Sequence, residues 1–325
     1  MITLVVSLTL LGAPLEEREA ATAFRSGFAK ANGVKLHYLD WGGNGATLLL
    51  LPGLGNTAHI YESLARRFSD RFRVIALTRR GHGLSDAPRS GYDTETLVED
   101  IRHFLDALKI DKATLVGHSI AGGEMTGFAV KYAERTLKLV YLDAAYDRTT
   151  ANGLVAGNPL ATVYNSIPGD ALASFSKYAA FMKSVTPELK SQWTKRKADL
   201  RSQVLILPNG PVALRMRPEV NAMLVQNMMS FRPDYSRIKA PILSFYAVSE
   251  TNRDIPEFVS PQLRKRTNQF WREVRAPWAR SSIEQLRREA PHAEVVELKD
   301  TDHFCFIQRE DEVVGRMRQF LLEES

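Results

Sequence analysis

One cysteine in 325 residues leaves no partner for an intramolecular disulfide and no thiolate cluster for a metal. Cys305, in the run His303-Phe304-Cys305-Phe306, therefore reads as a buried structural thiol. The apolar run Ile2 to Gly12, ended by Ala13-Pro14, is too short to cross a bilayer as a helix, so no stable membrane insertion is expected. It resembles the apolar region of a secretory signal, but no Lys or Arg precedes it. Residues 1–24 are read as an N-terminal arm or remnant signal segment, and the expectation leans to a secreted or periplasmic protein over a cytoplasmic one. Zinc-finger spacing, an RNP-like aromatic motif and a long basic block are also missing, so a net charge of +6 does not by itself imply nucleic acid. The basic stretches Lys190 to Arg201 and Arg264 to Arg280 mix cations with apolar or acidic residues at helical spacing, as solvated helix faces do.

What is present is ordinary for a globular protein: 44% apolar and 25% charged residues, with length enough for one large core and an insertion. Gly27 to Trp41 reads as two short strands around Ala31-Asn32-Gly33. The continuous apolar run Thr47 to Leu51, ended by Pro52-Gly53, suits a strand buried on both faces of a parallel sheet. Strand and helix then alternate: helix near Ala58 to Phe68, strand Arg73 to Leu77, helix Asp93 to Leu108, strand Ala113 to Gly117, helix from Ile120 to about Arg135, and strand Leu137 to Asp143. This is the mark of an α/β sheet covered on both sides. From Tyr146 to Arg237 the alternation stops, and helical pieces such as Asp170 to Lys183 and Pro187 to Leu205 suggest a helical insertion. It resumes with strand Ile242 to Val248, a helical stretch Pro256 to Glu289, strand Ala293 to Leu298 and helix Glu310 to Leu322. The expected division is a core of 25–145 and 238–325 with a cap of 146–237.

The chemistry centres on Gly117-His118-Ser119-Ile120-Ala121-Gly122-Gly123, a serine between a buried strand and a helix. A nucleophile at such a turn needs small neighbours so that strand and helix can approach, and the helix N-terminus favours developing negative charge. Elsewhere such a serine would be an ordinary helix cap. Serine needs an adjacent base, and histidine titrates near working pH. His303, between the last strand and the last helix, lies at the sheet edge where catalytic loops gather. His118 abuts Ser119 but should point away from it. His59, His82 and His103 read as pocket-lining or structural, and His37 and His292 as structural. For the acid that orients the base, the first choice is Glu250, just past Val248; Asp143 is the alternative and Asp254 the third. The amides of Leu54 and Ile120 are candidates for an oxyanion hole. No metal and no organic cofactor is required.

Pro52-Gly53-Leu54-Gly55, Arg79-Arg80-Gly81-His82-Gly83-Leu84-Ser85, Gly117-His118-Ser119 and Asp302-His303-Phe304 occur in the order and approximate spacing of the α/β-hydrolase superfamily, which this chain resembles along most of its length. Tyr141-Leu142-Asp143-Ala144-Ala145-Tyr146, with the stretch around Ser119, is similar to a group of bacterial hydrolases, many of them exported. The resemblance implies a nucleophile-acid-histidine triad, an eight-stranded mostly parallel sheet and a helical cap after the sixth strand. Three positions depart from the pattern: Ala121 where glycine is usual, Pro52 where many relatives carry histidine, and Glu250 where aspartate is commoner. Ser119 argues against the dehalogenases and epoxide hydrolases of the superfamily, which use aspartate.

The expected activity is cleavage of a carboxylic ester or lactone, a carboxylesterase-like reaction. The same triad also serves amidases, carbon-carbon bond hydrolases, acyltransferases and perhydrolases. A non-catalytic small-ligand receptor of the fold is the reading from another class. Met182, Met216, Met223, Met228 and Met229, with Phe175, Tyr178, Phe181 and Phe231, suggest an apolar pocket in the cap, or simply its packing. The expected partner is a small molecule with an apolar acyl or alcohol part, and no nucleic acid; oligomeric state is not specified by the sequence.

Overall fold

The computed structural model describes residues 24–323, apart from 152, 153, 155, 156, 162, 164, 165, 187, 188, 190, 191, 253 and 254. The chain enters through a hairpin, β1 (Arg25–Ala31) and β2 (Val34–Gly42), whose turn takes positive φ at Asn32 (48°) and Gly33 (77°). Two consecutive left-handed residues match the twist of paired strands, and Asn-Gly tolerates them. β3 (Thr47–Leu51), β4 (Arg73–Leu77), β5 (Ala113–His118), β6 (Thr136–Leu142), β9 (Ile242–Val248) and β10 (Glu294–Lys299) follow. They form one eight-stranded sheet in the order β1-β2-β4-β3-β5-β6-β9-β10. Only β2 runs against the direction of the other seven strands.

The central strands are apolar on both faces because both faces are covered. Along β3, Leu49 and Leu51 join one core with Phe104, Leu115 and Phe128, while Leu48 and Leu50 join the other with Tyr61, Phe306 and Met317. Truncating any of these leucines to alanine would cost roughly 2–5 kcal/mol. One face is covered by α2 (Thr94–Ala107), α3 (Ala121–Lys131) and α8 (Ala276–Glu289). On the other lie a 3₁₀ turn leading into α1 (Glu62–Arg66), then α9 (Cys305–Gln308) and α10 (Glu310–Leu322). α2 shows the local logic: Asp93 caps it by accepting the Thr96 amide at 2.8 Å, and Leu97, Val98, Ile101, Phe104 and Leu105 form its buried stripe.

From β3 the chain passes to β4 on one side and then to β5 on the other, so the strand order reverses there. A crevice opens at such a point, flanked by the loops after β3 and β5.

Between β6 and β9 lie α4 (Phe175–Val185), α5 (Thr194–Ser202) and α6 (Pro218–Ser230), with a hairpin of β7 (Val204–Ile206) and β8 (Val212–Leu214). Of the stretch Pro187 to Leu205 read as helical, Thr194–Ser202 is helix, the hairpin corrects its end at Val204 and Leu205, and part of its start lies outside the described residues. Val204, Ile206 and Val212 favour extended backbone, and Asn209-Gly210 supplies the positive-φ turn at 68° and 104°. The stretch read as helical from Pro256 to Glu289 begins at the Ser260 cap with α7 (Pro261–Phe270). It continues through five π-helical residues, Trp271–Arg275, into α8. Pro277 has no amide to offer the preceding turn, and a widened turn upstream is one way a helix accommodates that loss. The arm of residues 1–23 lies outside the described residues. No described helix is long and apolar enough to cross a membrane.

Candidate active site

At the end of β5 the chain bends sharply: Ser119 takes φ 58°, a left-handed conformation that costs a residue with a Cβ about 1–2 kcal/mol. α3 starts directly after it. The close approach leaves no room for a Cβ at Gly122, and room for one at Gly117 only if Met125 shifts. A Cβ at Gly117 would fall 2.2 Å from Met125 Sδ, and one at Gly122 only 2.0 Å from the Ala144 carbonyl oxygen. The tight contact with the next strand's loop therefore falls on Gly122, which explains why alanine is accepted at position 121.

The loop after β3 runs against the serine. A Cβ at Gly53 would stand 2.7 Å from His118 Nδ1 and 3.2 Å from Ser119 Cβ. Its carbonyls are held away from the crevice by Arg79, which donates to the Pro52 oxygen at 2.7 Å and to buried Glu124 at 2.5 Å. The Gly55 amide donates to His82 Nε2 at 3.1 Å, while His82 Nδ1 donates to the Arg80 carbonyl at 3.1 Å. Burial, then the Arg79 charge, lowers His82 to about 3, so its ring is neutral and can serve as that acceptor. Asp199 on α5 completes the support, accepting from Asn56 Nδ2 at 2.8 Å, the Thr57 amide at 2.7 Å and the Thr57 hydroxyl at 2.9 Å. Among the described residues, the Leu54 and Ile120 amides make no intramolecular hydrogen bond. They are free donors, one in each loop.

His303 follows β10 in the loop before α9. Its Nδ1 lies 2.6 Å from Asp143 Oδ2, and Asp143 is fully buried at the end of β6. The other carboxylate oxygen accepts from the Ala247 amide at 2.9 Å and from the Tyr146 hydroxyl. The Arg275 guanidinium stands 3.9 Å from Oδ2. Burial alone would raise the Asp143 pKa; the bond and charge of His303, the Arg275 charge and the Tyr146 bond outweigh it and bring the carboxyl down to about 2. The site thus holds a permanent carboxylate behind the imidazole. His118 turns away from Ser119: its Nε2 donates to the His303 carbonyl at 2.8 Å, and its ring centroid is 4.4 Å from that of His303. Burial, reinforced by His303, keeps it neutral, which suits a brace better than a base. Ser119 and His303 make no hydrogen bond to each other in this structure; such contacts are often long without substrate.

The carboxylate brought to His303 is therefore Asp143, not the first choice, Glu250. β9 ends at Val248, and the next residues turn outward, Ser249 Oγ bonding the Thr251 carbonyl at 2.6 Å. Glu250 is exposed in a separate groove of about 460 Å³ with Arg280 and Lys299, and neither Ser119 nor His303 lines that groove. Asp143 has the advantage of position, since β6 pairs with the serine's own strand. The third choice, Asp254, lies outside the described residues. Asp302 shapes the loop, its amide donating to Gln308 Oε1 at 2.9 Å. His37, His59, His103 and His292 line no part of the cavity at His303.

That cavity, about 310 Å³, is bounded by His303, Tyr146, Arg148, Phe270, Trp271 and Arg275 among others. A narrow crevice beside it is lined by Ile120, Arg148, Met228 and Phe231. The methionines divide: Met216, Met223 and Met228 pack against Leu54 and Ile120, while Met182, Phe175 and Tyr178 form a small core inside the inserted segment. Sequence reasoning missed Arg148, Tyr146 and Arg275 as site residues. Tyr146 lay inside a quoted motif, but nothing local signalled that residues 148 and 275 converge. Among the described residues, no group of three His, Cys, Asp or Glu could hold a metal.

A family model described as "Alpha/beta hydrolase family" matches residues 48–316. The chain is 37% identical over 101 residues to a 2-(acetamidomethylene)succinate hydrolase of Mesorhizobium japonicum, covering 31% of this chain and 36% of the relative. It is 35% identical over 124 residues to an N-formylmaleamate deformylase of Pseudomonas putida, covering 38% and 46%. Both matches thus span less than half the relatives' own length. Among solved structures, that of E-2-(acetamidomethylene)succinate hydrolase superposes with a TM-score of 0.73 at 20% identity, covering 92% of this chain and 99% of that one.

Proposed function

Because the chain belongs to the alpha/beta hydrolase family, we propose that it is a serine hydrolase that cleaves a carboxylic ester or lactone through an acyl-enzyme on Ser119. His303 takes the hydroxyl proton as Ser119 attacks the carbonyl, and returns it to the leaving alcohol. Water, deprotonated by the same imidazole, then releases the acid. Asp143 holds the ring in the tautomer that leaves Nε2 free and stabilises the imidazolium that forms. The Leu54 and Ile120 amides receive the oxyanion. Residues 146–237 act as the cap over the substrate.

The observation that carries this reading is the 2.6 Å bond between His303 and the buried carboxylate of Asp143, next to a serine in left-handed backbone. A fluorophosphonate probe tests it. It should label Ser119 alone, and Ser119→Ala should abolish both the label and turnover of p-nitrophenyl acyl esters. Labelling elsewhere, or turnover surviving in the alanine variant, refutes the assignment.

Cleavage of an amide-type bond on the same residues is the second reading, favoured by the names of the two relatives, a deformylase and an acetamidomethylene succinate hydrolase. Parallel assay of matched esters and N-acyl amides separates the two.

A further inference from the structure

Arg148 sits where a substrate would lie, and its charge is unspent. It lines both the cavity with His303 and the crevice with Ile120, so one residue borders the spaces at the proposed base and at the residue after the nucleophile. Its Nη2 is buried without a hydrogen-bond partner, and among the described residues no carboxylate lies within 4.0 Å of it. Asp147 precedes it in the chain but turns its carboxylate to the Thr149 amide and hydroxyl, and buried Asp143 acts on the guanidinium only through space. The guanidinium carbon lies 5.4 Å from the Tyr146 ring.

The other charges at the cavity are differently placed. Arg275 faces Asp143 at 3.9 Å, reaches the Tyr146 hydroxyl at 3.4 Å and is sandwiched among the Tyr146, Trp271 and Trp278 rings. Asp302 also lines the cavity, at the His303 loop. Two guanidiniums thus share the space with Asp302, while buried Asp143 engages Arg275 and His303 behind it. A half-buried guanidinium whose Nη2 has no hydrogen-bond partner can take one from an arriving anion, and a planar fork suits a carboxylate bidentately.

We propose that Arg148 is the seat for a carboxylate carried by the substrate, so that the preferred substrate is a half-ester or similar monoanion with its carboxylate a few bonds from the scissile carbonyl. This rests on the acyl-enzyme reading for the reaction, but the anion seat itself does not need turnover. Tyr146 forms the floor beneath the guanidinium, and Met228 and Phe231 wall the crevice on the other side.

Monomethyl succinate and dimethyl succinate make a matched pair, one anionic and one neutral. In a pH-stat assay the wild type should show a higher kcat/KM for the monoanion. Arg148→Met should lower the monoanion-to-neutral ratio roughly tenfold or more, with Arg148→Lys in between. In parallel, succinate is titrated calorimetrically into Ser119→Ala and into the Ser119→Ala, Arg148→Met double variant, with circular dichroism as the check on folding. Binding should weaken roughly tenfold or more without the guanidinium and fall with added salt. An unchanged ratio, or equal succinate affinity in the two backgrounds, overturns the seat. If neither ester is turned over, or Ser119→Ala still turns both over, the acyl-enzyme reading fails instead, and the succinate titration still decides the anion seat. Should the methionine variant not fold, Arg148→Lys carries the same comparison.

Discussion

His303 stands between two unlike halves of the site. Toward the sheet, every proposed group is fixed by buried bonds: Asp143 has both oxygens occupied, the Gly53–Asn56 loop is held by Arg79, His82 and Asp199, and Ser119 is locked into its bend by glycine contacts. Toward the inserted segment, Arg148, Met223, Met228 and Phe231 are half-buried, and the hydrogen bonds between α6 and the sheet helices run chiefly through Asn227, which takes the Thr94 amide at 2.8 Å. Geometry matters most where bonds are made and broken, and strain is affordable only where the surroundings over-determine it. Shape on the other half can change without disturbing the reacting groups. The contrast separates a chemical half, where replacement should be catastrophic, from a selective half, where it should be graded.

Ser119→Ala should break the chemical half outright, lowering kcat by a factor on the order of 10⁴–10⁶ with the melting temperature little changed. Single-turnover kinetics on an activated ester measures it, and a loss of less than tenfold would dissolve the contrast. Next come the two acids. Asp143→Asn should cost on the order of 10²–10⁴ in kcat, because an amide can stabilise the wrong imidazole tautomer. Glu250→Gln, exposed in its own groove, should stay within about twofold. Equal effects in the two variants would remove Asp143 from its role.

Asp199→Ala should lower stability by roughly 2–4 kcal/mol, because three donors on Asn56 and Thr57 lose a buried acceptor. Urea titration reads this, and kcat should fall with it because the Leu54 amide loses its support; a stable variant with full activity would place that loop's rigidity elsewhere. A further effect follows from pH. His37 is lowered from 6.5 to about 4, by burial and then by His59, and His82 to about 3. The unfolded chain therefore binds more protons as pH falls below about 6.5, and stability should decline by up to ~1.4 kcal/mol per pH unit for each group until the folded values are reached. Asp143, lowered from 3.8 to about 2, adds its loss only below about pH 4, since its contribution is complete above the unfolded value. A urea midpoint that stays flat from pH 6.5 to 4.5 contradicts this. The smallest expected change is Met223→Leu, a near-isosteric swap in the apolar wall. It should alter chain-length preference by a few-fold and stability by under about 1.5 kcal/mol.

The sheet was legible because its signals are local and redundant. Runs such as Thr47 to Leu51 and Ile242 to Val248 can be little else than strands covered on both sides, and Ser119 declares itself by what precedes and follows it. The choice between Glu250 and Asp143 was not legible, because both end a strand. The fold sets β6 beside β5 and brings Asp143, not Glu250, to His303. Arg148 and Arg275 are 127 positions apart in the numbering, and only the fold brings them to one cavity. The hairpin Val204–Ile206 with Val212–Leu214 was hidden by the helical spacing of the preceding residues, although Asn209-Gly210 was a turn signal in plain view.

Asp199 has one more implication. It belongs to the inserted segment, the proposed cap, yet its carboxylate is fastened to the backbone and side chains two and three residues beyond Leu54. Lifting α5 to admit a ligand would drag the amide at 54 out of register, so entry through that side would disarm the very group meant to receive charge. The cavity at His303 is also bordered by Phe270 and Trp271, which are not tied to that loop by any described hydrogen bond.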